Sequence, residues 1–128
     1  MAASVLEFDD LNVVAVTLID GALTEIQANV RNGPVRVYSV TINNNANATA
    51  KTYVKFYNDS GPTMGTTAPD MILRAEGADG VTKGIVTYDF GENGALFPSA
   101  LSVAASTAGG TGGATGPTSN CIVSMVTD

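Results

Sequence analysis

Val35-Arg36-Val37-Tyr38-Ser39-Val40-Thr41-Ile42, closed by Asn43-Asn44-Asn45-Ala46-Asn47 and followed by Thr52-Tyr53-Val54-Lys55-Phe56-Tyr57-Asn58, decides how the chain folds. Apolar and polar residues alternate with a period of two, which sends successive side chains to opposite faces of an extended chain. Tyr38, Val40 and Ile42 share one face of the first run. In the second, Val54 and Phe56 look away from Tyr53, Lys55 and Tyr57. Both runs are rich in β-branched and aromatic residues, which suit a pleated, half-buried surface. The Asn-rich stretch ends the first strand, and the two strands are expected to be antiparallel neighbours across it.

Toward the N terminus, Thr24-Glu25-Ile26-Gln27-Ala28-Asn29-Val30 alternates strictly, with Ile26, Ala28 and Val30 on one face, and Arg31-Asn32-Gly33-Pro34 supplies a turn. Before it, Asn12 to Ile19 is a β-rich, almost continuously apolar run stopped by Asp20-Gly21. That run reads as a first strand or as an arm pairing outside its own sheet, with Glu7, Asp9 and Asp10 as an acidic lead-in. Toward the C terminus, the stretch from Asn58 to Pro69, dense in Gly, Pro, Thr, Asp and Ser, is expected to cross between two sheets. Short strands recur at Met71–Arg74, Gly84–Phe90, Leu101–Ala105 and Asn120–Val126, separated by turn clusters and by the long Thr107–Ser119 segment. The expected fold is all-β, a single β-sandwich or jelly roll of about eight strands with an N-terminal extended segment. Residues 1–20 form the arm or edge strand and residues 21–128 the β-sandwich domain.

A chain of 128 residues fits one domain of this kind and buries enough surface to need no staple. Cys121 is the only cysteine, so no intrachain disulfide forms, and its alternation with Val123 and Met125 marks it as a small buried hydrophobe. The net charge of −6 and the scatter of Arg31, Arg36, Lys51, Lys55, Arg74 and Lys83 argue against nucleic acid and against an anionic membrane as partners. The start is not signal-like and no apolar run reaches membrane-spanning length, so the protein is expected to begin in the cytosol. Only 14% of residues are charged, so much of the polar surface is Thr, Ser, Asn and Gly, and part of it is expected to lie under a partner.

With no histidine, Ser-His-Asp and Cys-His catalysis are excluded and the commonest transition-metal ligand is missing. The acidic pairs Asp89/Glu92 and Glu76/Asp79 are the close carboxylates available for general acid–base work, and solvated turns explain both. Ala108-Gly109-Gly110-Thr111-Gly112-Gly113-Ala114-Thr115-Gly116 lacks the Gly-Lys-Ser/Thr ending of a phosphate loop and reads as a mobile loop tip or as backbone approaching a neighbouring subunit. Asn47-Ala48-Thr49 and Asn58-Asp59-Ser60 match the glycosylation pattern without a secretion signal. Asp70, Asp79 and Asp89 lack EF-hand spacing. No enzymatic activity, cofactor or metal is expected.

Four segments carry a resemblance: Tyr38-Ser39-Val40-Thr41-Ile42 with its Asn-rich tail, Tyr53-Val54-Lys55-Phe56-Tyr57-Asn58, Pro62-Thr63-Met64-Gly65-Thr66-Thr67-Ala68-Pro69-Asp70, and Ala100-Leu101-Ser102-Val103-Ala104-Ala105-Ser106-Thr107-Ala108-Gly109-Gly110-Thr111. From Val35 to the C terminus the chain resembles small bacteriophage and prophage virion structural proteins of jelly-roll or β-sandwich type. The segment from Met1 to about Val30 matches least, and the loop from Glu76 to Lys83 is more acidic than the short apolar link of the pattern. The resemblance implies a capsid decoration, or cement, protein that binds and stabilises the shell. Its partners would be the major capsid protein or other virion proteins, it would form a homo-oligomer (dimer or trimer), and its location would be the virion, assembled in the host cytoplasm. A neck, tail or baseplate subunit, or a glycan-binding module on the virion surface, are the alternatives. Expected contacts are Val13, Val14, Val16 and Leu18 for intersubunit pairing, with Asn43, Asn45 and Asn47 and Thr63, Thr66 and Thr67 meeting shell or partner.

Overall fold

A computed structural model describes the chain except residues 1, 8–14, 21–26, 48–49, 79–82 and 120, and for residues 2–7 and 15–20 it describes the backbone alone. The described residues hold no helix and ten strands: β1 (Ala2–Glu7), β2 (Ala15–Asp20), β3 (Gln27–Asn32), β4 (Val35–Asn43), β5 (Thr52–Tyr57), β6 (Met71–Ala75), β7 (Ile85–Asp89), β8 (Ala95–Phe97), β9 (Ala100–Ser106) and β10 (Ile122–Thr127). They form two antiparallel sheets. One runs β1-β2-β10-β4-β7, with the three-residue β8 pairing β4 beyond the end of β7; the other runs β3-β9-β5-β6. The eight strands from β3 onward form a β-sandwich, as expected; seven of them fall on predicted runs, β8 is an addition, and the β1–β2 hairpin widens the larger sheet through β2 and β10.

Alternation makes the core. Val35, Val37, Val40 and Ile42 of β4 and Val123 and Met125 of β10, with Cys121 just before it, meet Val54 and Phe56 of β5, Leu73 and Ala75 of β6, and Leu101, Val103 and Ala105 of β9. Phe56 and Phe97 pack with ring centroids 6.4 Å apart at 45°, tying the layers together. The step from Val37 to Val40 breaks strict parity because Val126 faces Ser39 while Thr127 faces Val37, leaving Tyr38 as a bulge residue. Tyr38 is therefore half-buried rather than aligned with Val40 and Ile42.

Three expectations are corrected. β4 and β5 are not neighbours: the Asn-rich segment turns a corner between layers, so each strand pairs elsewhere. The stretch after Asn58 does not cross between sheets, since β5 and β6 pair directly and it closes a wide hairpin. In β3 the alternation fails at Asn29, whose φ of 52° accompanies a register shift against β9, so Ala28 is exposed and Val30 only half-buried. Ile26 lies outside the described residues. Gly33, at φ 76°, provides the left-handed bend by which the chain leaves β3 in one sheet for β4 in the other.

Burial pushes the Cys121 thiol from 9.0 up to about 11. The fold holds it neutral while the unfolded chain releases its proton near 9.0, so native stability is undiminished below that pH and falls as pH rises toward 11. In denaturant titrations, wild type should lose on the order of 2 to 3 kcal/mol relative to Cys121→Ala across that interval. Parallel curves would refute the sign.

Candidate interaction surface

The Asn-rich corner is an internal network. The Asn44 side-chain carbonyl accepts from Thr52 Oγ1 at 2.8 Å and from Asn47 Nδ2 at 2.9 Å, while its amide donates to the Ala50 carbonyl at 2.9 Å and the Glu76 carbonyl at 3.3 Å. Asn47 also donates to the Ser119 carbonyl at 3.0 Å and accepts from the Ser119 N–H at 2.8 Å. Asn45 is exposed, and its carbonyl accepts from the Gly84 N–H at 2.6 Å. Of the three Asn contact candidates, Asn47 is thus buried and committed within the chain, whereas Asn43 and Asn45 retain exposed area.

On the outer face of the four-stranded sheet, Tyr53, Lys55 and Tyr57 stand opposite Ser106, Ala104 and Ser102. The Thr107–Ser119 segment lies over this row. Lys55 is fully buried, its ammonium donating to the Gly113 carbonyl at 2.7 Å, and desolvation lowers its pKa. A Cβ at Gly109 would meet the Tyr53 ring at 3.3 Å, and one at Gly113 would meet the Ala108 carbonyl oxygen at 2.7 Å. The glycines serve close approach within the chain. Thr63, Thr66 and Thr67 belong to the same cover: Gly65 sits against Ala114, the Thr67 N–H donates to the Thr63 carbonyl at 2.8 Å, and the Thr63 N–H donates to Thr67 Oγ1 at 2.9 Å. The Tyr57 hydroxyl is buried without a hydrogen-bond partner, and desolvation raises its pKa.

The outer face of the larger sheet is different. Register places three rows across β10, β4 and β7: Ile122-Asn43-Ile85, Ser124-Thr41-Thr87 and Val126-Ser39-Asp89. Thr41 and Thr87 hydroxyls bond at 2.9 Å. Ile85 is 48% and Ile122 41% exposed, and Asp89 is the sole charge in the nine positions. β2 continues two of these rows, with Leu18 opposite Ser124 and Val16 opposite Val126. Val16, Leu18 and Asn43 are therefore brought onto one sheet, while Val13 and Val14 lie outside the described residues. Thr63, Thr66 and Thr67 follow the far end of β5 and sit over the opposite layer. Sequence reading missed Ile85 and Ile122, because only the pairing of β7 and β10 on either side of β4 puts them in one row.

The carboxylates fill local roles. Asp89 accepts from the Gly91 N–H at 2.8 Å, Asp70 accepts from the Asn58 N–H at 2.6 Å, and exposed Glu76 pairs with Arg74 at 2.9 Å. Asp79 lies outside the described residues. Among the described residues no group of three or more Cys, Asp or Glu side chains is placed to hold a metal ion. An open groove of about 280 Å³ between β6 and β7 is lined by Arg74, Glu76, Lys83, Val86 and Tyr88. No family model matches the chain, and no curated protein is significantly similar to it.

Because the folded-state pKa of Lys55 lies below its ordinary 10.5, the unfolded chain holds more protons between the two values, and stability rises with pH across that window. Below it the full burial cost applies. Lys55→Met should unfold at equal or higher denaturant concentration than wild type at pH 7, and the gap should narrow as pH approaches 10.5. A large loss of stability at pH 7 would show that the bond to Gly113 outweighs desolvation.

Proposed function

We propose that this chain is a bacteriophage virion structural protein rather than an enzyme, a capsid decoration protein whose larger sheet lies against the shell. The observation that carries the reading is the set of nine outward positions on β10, β4 and β7: Ser and Thr rows flanked by exposed Ile85 and Ile122, in which Asp89 alone bears charge, with Arg36 lying beyond them beside exposed Leu96. An ordered face of this kind suits a broad protein surface, whereas small substrates are held in concave pockets. The uncharged rows lower the desolvation cost of docking, because few ionic groups must leave water. Multiplied over a symmetric shell, modest contacts of this sort accumulate into firm attachment.

The motif resemblance from Val35 onward supports the same reading and adds the partners: the major capsid protein or other virion proteins, with the protein present as a homo-oligomer in the virion after assembly in the host cytoplasm. Quantitative protein stoichiometry of purified particles is the test. Copy numbers near that of the major shell protein are expected; about a dozen or fewer would move the subunit to the neck or tail. Replacing Ile85 and Ile122 together by Ser should reduce particle occupancy about tenfold while leaving the melting temperature of the isolated protein close to wild type. Unchanged occupancy would remove this face from the shell contact.

A further inference from the structure

Strand edges with free backbone groups recruit other chains unless something obstructs them. The smaller sheet ends at β3 and β6, and the larger at β1 and β7. Both edges of the smaller sheet are obstructed: β3 is distorted by left-handed Asn29 and its register shift, and β6 carries exposed Arg74 paired with Glu76. β7, Ile85-Val86-Thr87-Tyr88-Asp89, pairs with β4 without a register shift and contains no proline, glycine or cation.

The geometry of that edge follows from two bonds. The Asn44 N–H donates to the Gly84 carbonyl at 2.7 Å and the Phe90 N–H donates to the Tyr38 carbonyl at 2.9 Å. In an antiparallel ladder bonded pairs alternate with unbonded ones, so Ile42–Val86 and Val40–Tyr88 are bonded pairs as well. Ile85, Thr87 and Asp89 therefore turn their N–H and C=O groups away from β4, toward an edge that no other strand among the described residues pairs.

We propose that β7 pairs antiparallel with β7 of a second copy of this chain, about a twofold axis at Thr87, joining two of the larger sheets into one. Among antiparallel registers, this one alone sets all three outward-turned residues against outward-turned residues: Thr87 against the partner's Thr87, and Ile85 against the partner's Asp89, twice. It is self-complementary in side chains too. Val86 comes to lie beside the partner's Tyr88, a β-branched–aromatic pair of the kind that stabilises sheets. Exposed Lys83 comes diagonally to the partner's Asp89, giving two symmetric opposite-charge pairs. Val86 and Tyr88 also line the groove of about 280 Å³ between β6 and β7, which leaves room for inward side chains of the arriving strand. This contact goes beyond the shell contact proposed above and forms in the isolated chain, so it is tested without particles.

Sedimentation equilibrium of the full-length protein should give twice the chain mass, with a concentration-dependent return to monomer. Amide exchange at Ile85, Thr87 and Asp89 should slow as concentration rises. Thr87→Pro removes a donor that β4 does not use and should leave a folded monomer. Lys83→Glu should weaken the dimer about tenfold by placing like charges together, and the double change Lys83→Glu with Asp89→Lys should restore it. Melting curves confirm folding of each variant, and the charge swap carries the test should Thr87→Pro fail to fold. A monomer at every concentration, a dimer indifferent to Lys83→Glu, or amides at 85, 87 and 89 that exchange independently of concentration would overturn the pairing.

Discussion

The fold turns on the side chain of Asn44. It sits where the chain leaves the larger sheet, and its bonds reach the next turn at Ala50, the first residue of β5 at Thr52, the end of β6 at Glu76 and, through Asn47, the approach to β10 at Ser119. A buried amide offers two donors and an acceptor that takes two bonds, and here each is used. Leaving any of them unmet in a low-dielectric site would cost more than a single bond normally contributes, so the network holds the corner to one geometry. With that corner set, β4 and β5 enter opposite layers, and the apolar faces of both are delivered to the same interior.

Hydrophobic burial then does the stabilising, but the corner decides what is buried against what. Val40 and Ile42 meet Val54 and Phe56 across the sandwich instead of beside them in one sheet. The Tyr38 bulge has a comparable effect at the other end of β4, changing parity so that Val35 and Val37 also face inward. Without it, either the Val35–Val37 pair or the Val40–Ile42 pair would face water, because a one-residue slip reverses every side chain in a strand.

Strand identity was legible in the sequence because alternation is a local signal: the runs around Val40, Phe56, Val103 and Val123 all read correctly as strands. Partnership was not, because it depends on a corner whose direction is set by side-chain bonds between residues far apart in sequence, such as Asn47 to Ser119. β8, at three residues, is too short for a period to show. Alternation at Lys55 and Tyr57 correctly put them opposite Val54 and Phe56, yet that face proved buried as well, since only the folded chain reveals that the Gly-rich segment lies over it. Of the candidate contacts, Asn43 keeps its place on an accessible face while the Asn47 side chain is consumed by the corner.

The two outer faces differ for a chemical reason. A row of Tyr53, Lys55 and Tyr57 is large enough and apolar enough along its stems to gather cover, and the thirteen residues from Thr107 to Ser119, all small but Pro117, supply backbone thin enough to lie on it. The opposite face offers Ser39, Thr41, Thr87 and Ser124, short side chains whose hydroxyls can bond to one another, as Thr41 and Thr87 do, and which give a covering segment little to grip. Among the described residues the chain closes one face with its own loop and leaves the other uncovered, together with the β7 edge beside it, which no described strand pairs. Face and edge belong to the same sheet, so an edge contact that extends the sheet also extends the face: two copies joined at β7 would present their Ile85 and Ile122 rows on a single continuous surface. The shell contact and the pairing of copies proposed above would both draw on one asymmetry, the difference between a sheet face that the chain covers with its own loop and one that its described residues leave open.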